Sequence, residues 1–184
     1  MAPMGRRCID KTFTFSDRSN LMKDLLYYCQ YNVWANKKML QFFESKPEAL
    51  LSQEIENSFP SIRKTALHIL SAERSWLARM QLDKRNNRSL IDDFSSTKDV
   101  FSALVNASTA FADFVQQHED SFFTTELSYS TWDGTEWSML PKTMVQHCMN
   151  HSTYHRGQLI TLARQLGMKE DVPSTDLLYY SRGQ

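Results

Sequence analysis

The sequence predicts an all-α protein, a four-helix bundle with a short β-hairpin between its third and fourth helices. Two observations carry most of this. Apolar residues recur at spacings of three and four through four separate segments, the period of a helix with one buried face. Glycine and proline are scarce, at five each in 184 residues, which disfavours a sandwich or barrel built on many turns. A length of 184 residues is that of one domain with a real core. The expected division is a tail over residues 1–19 followed by a single helical domain over 20–184.

The first helix runs from about Asn20 to Glu44, with Leu21, Leu25, Cys29, Asn32 or Val33, Asn36, Met39 or Leu40, and Phe43 on its stripe. Asn32 and Asn36 sit on or near that stripe, as pocket walls or bundle hydrogen bonds; Asn150 in the fourth helix is read the same way. The second helix follows Pro60, with Ser61 as N-cap, and reaches about Leu82. Ile62, Ala66, Ile69, Trp76 and Met80 form its apolar face, and Glu73 lies at the centre of it. A carboxylate there needs a partner or a raised pKa. The third helix starts near Ser96, where Ser96 and Asp99 have capping-box spacing. The fourth carries Pro141 in its first turn, where a missing N–H costs nothing, and ends at Gly167.

Between the third and fourth helices, "ELSYSTWDGTEWSML" alternates and centres on Asp133-Gly134, the signal of a type I′ hairpin. The final "VPSTDLLYY" is expected to cap the bundle as a turn or a single short helix. The stretch from Asp83 to Ser95 could span roughly 40 Å if extended. That is long enough for the second and third helices to run parallel.

Composition excludes several roles. Lysine plus arginine equals aspartate plus glutamate at 21 each, so no basic excess is available to neutralise phosphates, and nucleic acid is not the expected partner. No segment approaches the length of a membrane span. Residues 1–20 lack the apolar core of a secretion signal. Cys8, Cys29 and Cys148 are odd in number and in no CxxC pair, which fits a reducing cytoplasm.

The chemistry concentrates in "HCMNHSTYHRGQ", residues 147–158, where His147, His151 and His155 are spaced four and four. On a wheel of about 100° per residue with Met144 at zero, His151 falls near −20° and His155 near +20°. Both therefore occupy the middle of the inward face, and His147, near −60°, stands on its shoulder. Two imidazoles one turn apart can bind one ion from the same side. The protease motif HExxH is not satisfied, because Ser152 follows His151. A third ligand must come from another helix, and His68 and His118 are the remaining histidines. His68 lies on the edge of the second helix's stripe, among Thr65, Ala72 and Ser75, which leave room for an ion. His118 ends the third helix beside Gln116, Gln117 and Glu119 and is expected to face solvent. Three histidines with open positions would make a catalytic type of site rather than a closed structural one.

"YNVWANKKML", "ALHILSAERSW" and "HCMNHSTYHRGQL", with the terminal "VPSTDLLYY", resemble the DinB/YfiT-like family of metal-binding four-helix bundles. The resemblance spans nearly all of the chain after residue 20. It implies an up-down-down-up helix order and a divalent ion, zinc or nickel, held by His68, His151 and His155. It also implies low-molecular-weight thiols as co-substrates of metal-dependent S-transferases. A small-molecule substrate such as that thiol is the expected partner, and a homodimer is compatible with the bundle.

The remaining candidates have modest expected roles. Glu73 is a candidate for orienting a ligand's second nitrogen or acting as a base, and equally for pairing with Arg156 or Arg79 or capping a loop, while His147 is read as a hydrogen-bonding or pocket residue before it is read as a ligand. Cys148 is read as a small buried residue before it is read as a soft ligand. Trp34 and Trp76 are read as core, and Lys37, Lys38, Arg79, Lys84 and Arg85 as a solvated rim. Three functions follow: a metal-dependent thiol S-transferase, a metal-dependent hydrolase that activates water, or a non-catalytic metal- or ligand-binding dimer.

Overall fold

The computed structural model describes residues 21–83, 93–131 and 133–183. The predicted tail over 1–19, with Cys8, lies outside them, as do Lys84 and Arg85. The elements are α1 (Leu21–Phe43), α2 (Glu48–Leu51), α3 (Ile62–Met80), α4 (Thr97–Gln116), α5 (Asp120–Thr124), β1 (Leu127–Ser130), β2 (Glu136–Met139), α6 (Pro141–Gln165) and α7 (Leu177–Ser181). The four long helices are the four predicted. None of the described helices is long and apolar enough to cross a membrane.

Local chemistry sets their ends. The Ser61 hydroxyl accepts from Lys64 N at 3.1 Å and opens α3. Ser96 Oγ accepts from Asp99 N at 3.1 Å and opens α4. The Asp99 carboxylate then accepts from the Ser96 hydroxyl at 2.7 Å, so only half of the expected capping box forms. At the end of α6, Gly167 has φ 85°, Gly167 N donates to Arg164 O and Met168 N donates to Ala163 O. This pair of bonds returns the last carbonyls to use. The end of α3 has the same pair, Leu82 N to Arg79 O and Asp83 N to Ala78 O, but with a leucine at φ 54° where glycine is usual.

The two apolar clusters of the core fix the helix directions. One contains the C-terminal part of α1 (Met39, Phe43), the start of α3 (Ile62, Ala66, Ile69), the start of α4 (Phe101, Leu104) and the end of α6 (Leu159, Leu162). The other contains the opposite ends: Leu25 and Cys29, Met80, Phe111 and Val115, Met144 and Cys148. α1 and α6 therefore run one way, and α3 and α4 the other. This is the up-down-down-up order, and α3 and α4 are parallel as the long connection allows. Each fully buried Leu, Ile, Phe or Met contributes about 1.5–3 kcal/mol.

The hairpin forms with Leu127 opposite Met139 and Ser130 opposite Glu136. Its turn differs from the expected type I′. That turn needs positive φ at both central residues, and in Asp133-Gly134 only the glycine has it, at 84°. Thr131 N donates to Thr135 O at 2.8 Å, and Gly134 N to Thr131 O at 2.9 Å. The Asp133 carboxylate takes Thr135 N at 3.1 Å and the Thr131 hydroxyl at 2.6 Å, which closes a wider loop. The C-terminal segment forms the short helix α7. Tyr180 packs on Tyr27, Tyr31 and Trp34, and the Tyr31 hydroxyl donates to Thr175 O at 2.7 Å.

Candidate metal centre

α3 and α6 lie side by side and antiparallel, which brings His68 opposite the pair on α6. His68 Nε2 is 2.9 Å from His151 Nε2 and 3.1 Å from His155 Nε2. The three nitrogens can hold one metal ion. A neutral imidazole nitrogen offers, in its ring plane, either one N–H or one electron pair. His68 Nε2 therefore cannot be satisfied as a hydrogen-bond partner by both neighbours at once. Three electron pairs aimed at a shared ion resolve the crowding. Ligands about 2.0–2.1 Å from a tetrahedral zinc ion stand about 3.3 Å apart, near the two spacings from His68 Nε2.

Electrostatics and packing keep these nitrogens available. Burial, then the nearby His155, lowers the His68 pKa. Burial, then His155, His68 and His147, lowers His151 to about 4. Both are thus neutral at neutral pH, the form that ligates metal. His155 is buried, and its Nδ1–H donates to Gln158 Oε1 at 2.7 Å, which leaves Nε2 with its electron pair. Phe59 stacks on His68 with centroids 3.9 Å apart. Neither Phe59 nor Gln158 was singled out in the sequence; the His155/Gln158 spacing of three was the available signal for the second. We expect Gln158→Leu to weaken zinc binding about 10–100-fold while leaving the fold intact. Competition titration against a chromogenic chelator measures it, and unchanged affinity would show that the Nδ1 contact orients nothing.

The other predicted residues separate. His147 is exposed and does not meet the three nitrogens; its ring lies 4.8 Å from Trp76 and 6.1 Å from His151. His118 does not simply face solvent. Its Nδ1 donates to Phe114 O at 2.7 Å, and the half-buried ring packs between Phe114 and Phe122 because the chain turns into α5 there. Cys148 and Cys29 are buried in the apolar core, and burial, then Glu73, pushes both thiols up, so neither is a ligand or a ready nucleophile. Trp34 and Trp76 are half-buried rather than fully core. Arg79 is half-buried, with its Nε shut off from solvent. Lys38 lies over Trp34 at 5.0 Å.

Glu73 does not reach the histidines. It is fully buried, and Oε1 accepts from Asn32 Nδ2 at 2.7 Å, Asn36 Nδ2 at 3.2 Å and Ser152 Oγ at 2.9 Å. Oε2 accepts from Ser108 Oγ at 2.6 Å. The amide oxygens of the same two asparagines accept from Arg156 Nη1. The asparagines thus relay between a buried carboxylate and a buried guanidinium, and the network ties α1, α3, α4 and α6 together. Ser152 and Arg156 each directly follow a site histidine in the chain, so the network fixes the rotation of α6 that turns those histidines inward. Burial raises the Glu73 pKa, and its hydrogen bonds and Arg156 recover only part of that cost.

A four-helix bundle whose central helices present three converging imidazoles is the class defined by this geometry. The chain belongs to the DinB family, whose model matches residues 19–184. It is 27% identical to Protein DinB of Bacillus subtilis (strain 168) over 152 residues, 75% of this chain and 83% of that protein. The crystal structure of a DinB-like protein from Bacillus cereus ATCC 10987 aligns with TM-score 0.65 and 25% identity, over 83% of this chain and 95% of that one. YfiT from Bacillus subtilis, described as a probable metal-dependent hydrolase with an unusual four-helix bundle topology, aligns with TM-score 0.57 over 90% of this chain and 96% of its own, at 15% identity. At that identity the likeness concerns the fold.

Proposed function

We propose that the chain is a divalent-metal-dependent enzyme that transfers a low-molecular-weight thiol to a small electrophile. His68, His151 and His155 hold the ion, zinc or nickel, and the observation that carries this is the meeting of their three Nε2 atoms. When bound, such an ion acts as a Lewis acid and lowers the pKa of a water or thiol that joins it.

The chain's own residues do the rest. His68 and His151 are half-buried and give access from one side, while Phe59 and the bundle core close the other. His147 is the next imidazole beyond His151 on an exposed face, placed to take the proton an incoming thiol gives up. Glu73 is occupied by its four donors, so no carboxylate base from that helix serves the centre. A thiol needs less help than water to become a nucleophile near neutral pH. That favours thiol transfer over the hydrolase reading, and both over a non-catalytic bundle.

The test compares zinc- and nickel-loaded protein in two assays, thiol conjugation to a chloronitrobenzene-type electrophile and hydrolysis of an activated ester. Thiol-dependent turnover that fails in His147→Ala, with metal content unchanged, supports the assignment. Ester hydrolysis without any thiol requirement would replace it with the hydrolase, and metal-loaded protein inert in both would leave a binding role.

A further inference from the structure

Away from the histidines, α3 and the hairpin enclose a cavity of about 260 Å³, lined by Ala78, Leu82 and Tyr129 on its apolar side and by Arg79, Asp83 and Glu136 among its polar groups. The Arg79 guanidinium lies over the Trp76 ring at 4.4 Å and the Tyr129 ring at 5.3 Å. The rings fix its plane and take up its faces. Its edge is a different matter. Arg79 has no hydrogen-bond or ion-pair partner among the described residues, and its Nε is buried without one. The carboxylates of the same cavity are engaged: Glu136 accepts from the Ser130 hydroxyl, and Asp83 has a polar or ionic interaction of its own. Of the three charged groups, the one left without a counterpart is the guanidinium.

A buried N–H without an acceptor is costly, and a guanidinium edge matches a planar carboxylate through two parallel hydrogen bonds. We propose that this cavity is a binding site for a small organic carboxylate. The carboxylate pairs with the Arg79 edge, and an apolar body rests against Leu82, Ala78 and Tyr129. The volume lies just under the ~300 Å³ at which pockets for drug-sized ligands begin, so the ligand is small. Leu82, held at φ 54° by the end of α3, projects into this lining, which gives the unusual leucine a use at that turn. The site lies eleven residues along α3 from His68, about 16 Å by helix rise. It stands or falls separately from the histidine centre.

The experiment is calorimetric titration of the full chain with 3-phenylpropionate and with its neutral counterpart 3-phenylpropanol, alongside the Arg79 Nε–H signal in ¹H–¹⁵N spectra. Saturable binding of the acid, at least tenfold tighter than the alcohol, with movement of the Arg79 Nε–H signal, is expected. Arg79→Lys, which keeps the charge and loses the paired donors, should weaken the acid about tenfold, and His151→Ala should leave it unchanged. Equal affinity for acid and alcohol, the absence of saturable binding by the acid, or undiminished binding in Arg79→Lys would overturn the proposal. The acid-against-alcohol comparison is made in the wild type, so it does not depend on the variant folding.

Discussion

His151→Ala is expected to reduce bound zinc or nickel from about one ion per chain to less than about a tenth after dialysis, with loss of any metal-dependent turnover. The reason is the ligand count. Three convergent imidazoles leave an ion with open positions; two leave it half bare, and His151 is the link between His68 and the exposed side. The fold should survive, because His151 is half-buried and its Nδ1 has no partner to orphan. Removing it also relieves the crowding at His68 Nε2. The two effects can be read in one melting experiment. A ligand at about 100 times its dissociation constant stabilises a protein by about 2.7 kcal/mol, which is about 5–10 °C for a chain of this size. Added zinc should raise the melting temperature of the wild type by that much and leave His151→Ala where it was. An equal rise in both would place the ion elsewhere.

The sequence carried most of this site because helix periodicity is a strong constraint. Spacings of four put His151 and His155 on one face, and apolar neighbours at Met144 and Leu162 decided which way the face points. What a wheel cannot supply is contact between helices. It placed Glu73 at the centre of its stripe but could not say that Asn32, Asn36, Ser108 and Ser152 would meet it. Those residues lie on three other helices, between 35 and 79 positions away in the chain. The same limit explains Arg79. Its charge and position read as a rim, and only the fold of the distant hairpin brings Tyr129 over it. The hairpin turn is ambiguous in the sequence for a local reason, since Asp-Gly serves both a tight type I′ turn and the wider loop that the Asp133 carboxylate closes.

Glu73→Ala is expected to destabilise the protein by about 3–5 kcal/mol, because a buried donor left without its acceptor costs about 1–3 kcal/mol and the surroundings relax around only part of the loss. The substitution leaves four donors aimed at an empty space, in a network whose Arg156 Nε is already unpartnered. By the scaling above this is a fall of about 6–20 °C in melting temperature. Glu73→Gln keeps the shape and one acceptor and should cost less. It also isolates the charge. Burial raises the folded-state pKa of Glu73 above its ordinary value, so the folded state holds the proton more tightly than the unfolded one. The carboxyl's contribution is then full below pH about 4.5, the unfolded value, and declines as pH rises through the raised folded value. The stability of the wild type relative to Glu73→Gln should therefore fall as pH goes from 4 towards neutrality. Denaturant unfolding of both proteins across that range measures it. A difference that grows with pH would show that the four donors and Arg156 outweigh burial, and that the network is built around the anion.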